Sequence, residues 1–406
     1  MRLDLPPKTI PPFPEFVALI AACMAATALS VDTMLPALPV MGKAFGIDNP
    51  NRLQLIISVF FMGAGIGQFI CGTLSDWLGR RKVLLGGLLV YVVLSFIVSL
   101  VTDLEHMLIL RFFQGVAAAA ASVIPRSAIR DLYSGAQMAK MLSTAHVVFL
   151  AVPILAPSLG QLILLGLPWR GIFFMLTGAG AVVALWVWLR LPETLDPEVR
   201  YAPSPAKFIR VAGFIASERT SLGYSLAVML MTAMILSYLS LMPQIFEEVF
   251  HQPVMLGLVF ALCAGAMAVG AFTNIKLVEK LGTRVMSHRA LTGVIVMATI
   301  HVLWALSGRE TLISFTILQA LTMMCMAMST SNFTAIAMEK VGHVAGTAAS
   351  LQGVLSMVGG GFIGAWIGQF WTGGVWLLPL SALGLGVGAL TLIALAEKGR
   401  LYRNPA

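Results

Sequence analysis

The stretch GTLSDWLGRRKVLLGG, from Gly72 to Gly87, gathers charge in a part of the chain that is otherwise apolar. Its charged residues are Asp76, Arg80, Arg81 and Lys82. On either side, residues 53–75 and 83–102 contain no Asp, Glu, Lys or Arg. Each uncharged run is long enough to cross about 30 Å of hydrocarbon as a helix. We therefore predict that this stretch is a charged loop between two membrane helices.

The composition of the whole chain agrees with a membrane protein. The 406 residues are 58% hydrophobic and 11% charged, whereas soluble domains are nearer half apolar and about a quarter charged. The net charge of +8 does not indicate nucleic-acid binding, because the basic residues fall between the apolar runs, as membrane topology requires. The four cysteines lie inside apolar runs without metal-binding spacing, so we expect neither a metal site nor a disulfide framework.

Twelve apolar segments have the length of a membrane span. They are residues 16–40, 53–75, 83–101, 105–130, 138–164, 170–191, 221–245, 254–278, 285–307, 311–336, 345–371 and 374–396. With the N-terminus in the cytoplasm, twenty Lys and Arg residues fall on the cytoplasmic side and four on the other. The twelve spans predict an all-α, multi-pass membrane protein. The bias in Lys and Arg predicts that both termini lie in the cytoplasm.

The spans divide into two groups of six. The longest connection lies near the middle of the chain and contains four prolines, which oppose a continuous helix. We predict an N-terminal half at 1–191, a cytoplasmic linker at 192–220 and a C-terminal half at 221–406. The second half repeats the charged loop, because Glu279-x-x-Gly282 follows Asp76-x-x-Gly79 at an offset of 203 residues. This offset indicates a duplication, although a short acid–Gly–Arg loop also recurs by chance.

The charged loop resembles the loop signature of the major facilitator superfamily, G-x-L-[SA]-D-x-x-G-R-[RK]-x. Within that superfamily the chain is similar to the drug:proton antiporters of the Bcr/CflA type, the bicyclomycin and chloramphenicol efflux branch. The stretches SVDTMLPALPVM, LRFFQGVAAAAASVIPRSAIRDLY, VPILAPSLGQ and HVAGTAASLQG carry this similarity. The resemblance implies the major facilitator fold and a proton-coupled drug exporter in the bacterial inner membrane.

Asp32 and Arg111 are the candidate proton-coupling residues. Asp32 lies well inside the first span, where an acid costs a few kcal/mol on insertion scales and therefore usually faces a cavity or a partner. Pro36 follows four residues later, so the helix can bend beside the acid. Arg111 lies inside the fourth span, and the resemblance links the arginine of L-x-x-x-R-x-x-Q-G to proton coupling. Asp32 is the expected partner of Arg111, in direct contact or through the cavity. Alternatives are a solvated Asp32 near the outer end of its span and an Arg111 that snorkels to the surface.

The candidate substrate cavity combines the acid with polar and adaptable side chains. Its residues are Asp32, Gln114, Arg126, Gln244, Met324 and Asn332. Arg126 would add a second cation to the inner vestibule, or it is an ordinary positive flank of the fourth span. Methionine is adaptable and common at promiscuous surfaces, which suits varied drugs, although core packing explains the methionine-rich tenth span equally well.

Two further groups of residues are candidates for conformational change. The gating loop comprises Gly72, Asp76, Gly79, Arg80 and Arg81, and the resemblance implies that Asp76 caps the start of span eleven near His343 to Ala348. The alternative is membrane topology alone, in which the charges keep the loop on the cytoplasmic side. Helix bending is expected at Pro36, Pro153, Pro157 and Gly160.

These observations predict a proton-coupled exporter of small amphipathic, phenicol- or bicyclomycin-like drugs that works by alternating access. The alternative is export of an endogenous metabolite, sugar, peptide or siderophore on the same fold. No nucleotide-binding G-x-x-x-x-G-K-[ST] motif is present, so ATP drive is not expected. We expect no cofactor, no nucleic-acid partner and a monomer in the lipid bilayer. A membrane enzyme is disfavoured, because no cluster of catalytic side chains stands out. A channel is disfavoured, because it would not require Asp32 and Arg111 together.

Overall fold

The computed structural model describes residues 10–47, 49–133, 135–200, 205–341 and 345–403. The regular secondary structure in these ranges is helical. The helices of the first part of the chain are α1 (Phe13–Asp32), α2 (Leu38–Phe45), α3 (Leu55–Leu78), α4 (Arg80–Ser99), α5 (Leu104–Leu132), α6 (Gly135–Gly166) and α7 (Arg170–Arg190). Those of the remainder are α8 (Pro205–Ser217), α9 (Arg219–Gln244), α10 (Leu256–Leu281), α11 (Thr283–Leu306), α12 (Leu312–Met338), α13 (Ala345–Val354), α14 (Gly360–Gly368) and α15 (Leu377–Ala396).

Eleven helical segments within the described residues are long and apolar enough to cross a membrane. The multi-pass, all-helical fold is therefore confirmed at this level. The remaining predicted span, 138–164, coincides with α6, in which Leu155–Gly166 is the apolar part that the structure describes. Twelve crossings and cytoplasmic termini remain predictions.

The chain forms two compact units. Unit 1 comprises Met1–Ala37 and Gly63–Ser204, and unit 2 comprises Leu38–Met62 and Pro205–Ala406. The segment Leu38–Met62 thus belongs to unit 2, although it precedes most of unit 1 in the sequence. This grouping was not part of the division into halves that the sequence suggests.

Unit 1 is built around α1. This helix packs against α5, α6 and α7, while α4 packs against α5 and α7. Buried apolar side chains from α1, α4, α5 and α7 meet in one cluster, including Phe16, Ile20, Leu88, Ile124 and Val187. The charged and polar residues of α1 and α5 are therefore held by an apolar core.

Unit 2 is built around α9 and α12. Helix α9 packs against α12, α14 and α15, and α12 packs against α10 and α11. Two π-helical turns interrupt the regular helix, one at Ile245–Val249 after α9 and one at Leu355–Gly359 between α13 and α14. Such turns are often found at functional sites in helices.

Helix α1 breaks at the position that its prolines predict. It ends at Asp32, and a short 3₁₀ turn at Leu35–Ala37 precedes α2. The Asp32 carbonyl would normally accept a hydrogen bond from the N–H group four residues later, but that residue is Pro36, which has none. The Asp32 carbonyl therefore lacks this helical hydrogen bond at the break.

Candidate functional site

Asp32 is buried at the broken end of α1, with 5% of its surface exposed. Helix α6 approaches the break closely, because Gly160 has no side chain. A Cβ atom at Gly160 would lie 2.0 Å from the carbonyl oxygen of Thr33 and 3.3 Å from Cγ of Pro36. The predicted bending residues Pro36 and Gly160 therefore meet beside Asp32.

The other predicted bending residues lie within α6. The helix continues through positions 153 and 157. Pro157 is buried, whereas the side chain of Pro153 lies outside the part of the chain that the structure describes.

Arg111 is completely buried in α5 and makes hydrogen bonds to two neighbouring elements. Its Nη1 donates to Oε1 of Gln114 at 2.7 Å, and its Nη2 donates to the carbonyl oxygen of Ser30 at 3.2 Å. Ser30 lies two residues before Asp32 on α1, so the guanidinium binds the segment of α1 that contains the acid. Arginine remains charged in proteins, and these acceptors compensate part of the cost of burying it.

Three side chains that the sequence did not single out extend this arrangement. Nε2 of Gln114 donates to Oγ of Ser95 at 2.7 Å, and the hydroxyls of Tyr91 and Ser30 are hydrogen-bonded to each other. Tyr91 and Ser95 both lie on α4, one turn apart. Serine and tyrosine are ordinary in an apolar helix, and only the tertiary structure places them next to Arg111.

An open cavity of about 470 Å³ lies beside the first half of α1. Its lining is Phe13, Pro14, Val17, Ala18, Ala21, Ala22 and Ala25 of α1 together with Thr144 of α6. Ala25 precedes Asp32 by seven residues, which corresponds to about 10 Å along a helix. An apolar surface with a single hydroxyl suits an amphipathic compound better than a sugar.

None of the six predicted cavity residues lines this cavity, and those other than Asp32 lie in separate environments. Gln114 belongs to the Arg111 arrangement, and Arg126 is exposed on α5. Gln244 is hydrogen-bonded to Gln54, and its Nε2 donates to Oδ1 of Asn51 at 3.2 Å. These contacts place Gln244 in an amide cluster at the end of α9.

The remaining two cavity candidates lie on α12. Nδ2 of Asn332 donates to Oδ1 of Asn274 at 2.7 Å, which joins α12 to α10. Met324 is half-buried, and a Cβ atom at Gly270 would lie 2.5 Å from its carbonyl oxygen. Within the described residues, both side chains therefore lie close to the packing between α10 and α12.

The arrangement in unit 1 provides an acid and a cation in a buried, membrane-spanning region, joined through the main chain of α1. A family model described as "Major Facilitator Superfamily" matches residues 19–365. The chain belongs to the major facilitator superfamily. It is a transporter rather than an enzyme.

Relatives within the superfamily confirm the resemblance to the drug-efflux branch. An uncharacterized MFS-type transporter, YdgK of Bacillus subtilis, is 29% identical over 379 residues, which is 91% of this chain and 92% of the relative. A bicyclomycin resistance protein homolog of Haemophilus influenzae is 26% identical over 82% of this chain and 84% of its own. A chloramphenicol resistance protein of Pseudomonas aeruginosa is 39% identical over 41% of this chain and 40% of its own.

Solved structures confirm the major facilitator fold. The crystal structure of a D-xylose-proton symporter covers 95% of this chain and 99% of its own, with a TM-score of 0.75 and 12% sequence identity. At this identity the likeness concerns the fold alone.

The superfamily loop forms an ion-pair cluster in unit 1. Arg80 donates from Nη1 to Asp76 at 2.5 Å and from Nε to Asp131 at 2.9 Å. The backbone N–H of Arg80 donates to Oε1 of Glu193 at 2.7 Å. Gly79 has a φ of 101°, a backbone conformation that favours glycine. The loop is thus bound to the ends of α5 and α7.

The rest of the gating loop makes local contacts. The carbonyl of Gly72 accepts a hydrogen bond from Ser75, and Nη2 of Arg81 donates to the carbonyl of Trp188 at 2.7 Å. Of the predicted partner segment His343 to Ala348, residues 343 and 344 lie outside the described residues. The cap between Asp76 and span eleven therefore stays a prediction.

The second half contains a corresponding cluster. Gly282 has a φ of 79°, and Arg284 makes ion pairs with Glu339 at 2.9 Å and Glu397 at 2.8 Å. Both charged turns of this superfamily member therefore use a glycine with positive φ followed by an arginine that binds acids.

Proposed function

We propose that the chain is a proton-coupled exporter of small amphipathic drugs, of the phenicol or bicyclomycin type, in the bacterial inner membrane. The observation that supports it is the burial of Asp32 at a broken helix, next to the segment that Arg111 binds. The termini face the cytoplasm, the protein acts as a monomer, and protons and the drug are its ligands. The resistance-related names of the relatives support the class of substrate.

The position of Asp32 supports a role in carrying the proton. A carboxylate is costly in a dry environment and favourable in water, so its protonation depends on which side can supply water. The break at Leu35–Ala37 allows α1 to change its direction without breaking further helical hydrogen bonds. A proton from outside would neutralise Asp32 and favour one conformation, and drug binding from the cytoplasm would favour proton release.

The apolar lining beside α1 supports an amphipathic substrate. Seven of its eight residues are apolar, and the lining contains no charged side chain. Such a surface gains free energy from apolar contact at about 25 cal/mol per Å². A polar metabolite would leave its hydrogen-bonding groups without partners there.

Drug-induced proton movement in energised inside-out vesicles tests the proposal. We expect chloramphenicol-type phenicols to dissipate part of the pH gradient with the wild type but not with Asp32→Asn. An equal response from both proteins would show that the proton is carried elsewhere. No response across a broad drug panel, with folded and inserted protein, would favour export of an endogenous metabolite instead.

A further inference from the structure

We propose that Tyr91 is a positioning residue for proton coupling, whose hydroxyl fixes the segment before Asp32 relative to Arg111. This inference rests on the proposed function. It assigns a role to α4, a helix on which the sequence showed no charged residue inside the membrane.

The direction of each hydrogen bond follows from the chemistry of the groups. The Ser30 hydroxyl donates to the carbonyl of Ala26 at 2.7 Å. Since serine has one hydroxyl hydrogen, Tyr91 is the donor in the Tyr91–Ser30 hydrogen bond. Tyr91 therefore holds the side chain of Ser30, while Arg111 holds its carbonyl.

The contacts close into a ring through three helices. Arg111 donates to Gln114, Gln114 donates to Ser95, and Ser95 donates to the carbonyl of Tyr91 at 2.7 Å. Tyr91 then donates to Ser30, whose carbonyl accepts from Arg111. Each of the five residues is at most 2% exposed. Buried networks of this kind orient their members strongly, because an unsatisfied member is costly.

Tyr91 is held in place more firmly than the other members of the hydrogen-bonded ring, because it also packs tightly against α7. A Cβ atom at Gly180 would lie 3.0 Å from Cε1 of Tyr91. The tyrosine ring is therefore confined, and its hydroxyl provides a stable reference for Ser30. Loss of the hydroxyl would free Ser30 and allow Arg111 to take other orientations, while the apolar packing stays.

Tyr91→Phe tests this role because it removes only the hydroxyl. We expect the maximal rate of drug-driven proton exchange to fall about tenfold with little change in the drug concentration at half-maximal rate. The matched control is Tyr224→Phe, which removes a buried, hydrogen-bonded hydroxyl from α9 in the other unit. An unchanged rate in Tyr91→Phe would overturn the proposal, as would equal losses in both variants.

A double-mutant cycle separates this inference from the proposed function. Melting temperatures of purified Tyr91→Phe, Arg111→Lys and the double variant need no proton transport. If Tyr91 positions Arg111, the two shifts are not additive, because both variants disrupt one network. Additive shifts would overturn the positioning role even if Asp32→Asn abolished exchange. If the melting-temperature shifts are not additive but Asp32→Asn leaves proton exchange unchanged, the proposed proton site would be overturned instead.

Discussion

Replacing Gly160 with alanine is the most direct test of the contact between α6 and the break in α1. The added Cβ atom would lie 2.0 Å from the Thr33 carbonyl oxygen. Ordinary carbon–oxygen contacts are about 3.3 Å or longer, so the two backbones would have to separate by roughly 1.3 Å. The obstructing atom belongs to the main chain, and rotation of a side chain cannot remove the clash.

We expect two consequences of Gly160→Ala. Overpacking of this kind costs about 1–3 kcal/mol, so the melting temperature of the purified protein should fall. A displacement of about 1 Å next to Asp32 should also reduce proton-coupled drug transport by roughly 10- to 100-fold. Transport is measured in vesicles and normalised to folded, inserted protein.

Gly178→Ala on α7 is the matched control, because a Cβ atom there meets nothing within 4 Å. This variant should melt and transport like the wild type. Wild-type behaviour of Gly160→Ala would refute the tight contact at the break. Equal losses in the two variants would refute its specificity.

Three further predictions follow from buried and charged side chains. Asn332→Leu should lower stability by about 1 kcal/mol by leaving Oδ1 of Asn274 without its donor, and the double variant with Asn274→Leu should recover part of that loss in thermal melting. Glu193→Gln should weaken the hydrogen bond that the Arg80 backbone N–H donates to residue 193, and it should reduce drug transport while substrate binding persists. An unchanged transport rate would contradict this. Cys23, Cys71 and Cys263 are buried, so a maleimide should not label these thiols in folded protein, and rapid labelling of any of the three would contradict the burial.

The sequence predicts the helical framework well, because the membrane imposes length and apolarity on each span. The break after Asp32 was also predictable, since Pro36 removes the N–H that the helix needs. These features depend on local chemistry, and the structure reproduces them at α1 and in the eleven spans found within the described residues.

The partners of the predicted polar residues were much harder to predict. Arg111 was expected to pair with Asp32, directly or through the cavity, and its guanidinium donates to Gln114 and to the Ser30 carbonyl. The rotation of α4 about its axis decides that Tyr91 reaches Ser30 of α1 and that Ser95 reaches Gln114 of α5, and a uniformly apolar helix gives no sign of that rotation. Gln244 was expected in the drug cavity, but its amide partners lie about 190 residues away in the sequence, beyond the reach of pattern arguments.

The glutamates that bind the two charged turns bear on the ancestry of the chain. Glu193 and Glu397 are 204 residues apart, and Gly79 and Gly282 are 203 residues apart. If the halves descend from one gene, the acid that fixes each turn was present before the duplication. The counterparts of Asp32 and Arg111 at that offset are Ile235 and Ser314, which cannot carry a charge. One descendant copy would then have kept or gained the coupling residues, while both inherited a glutamate that binds the arginine of the turn, at the backbone N–H of Arg80 and at the side chain of Arg284.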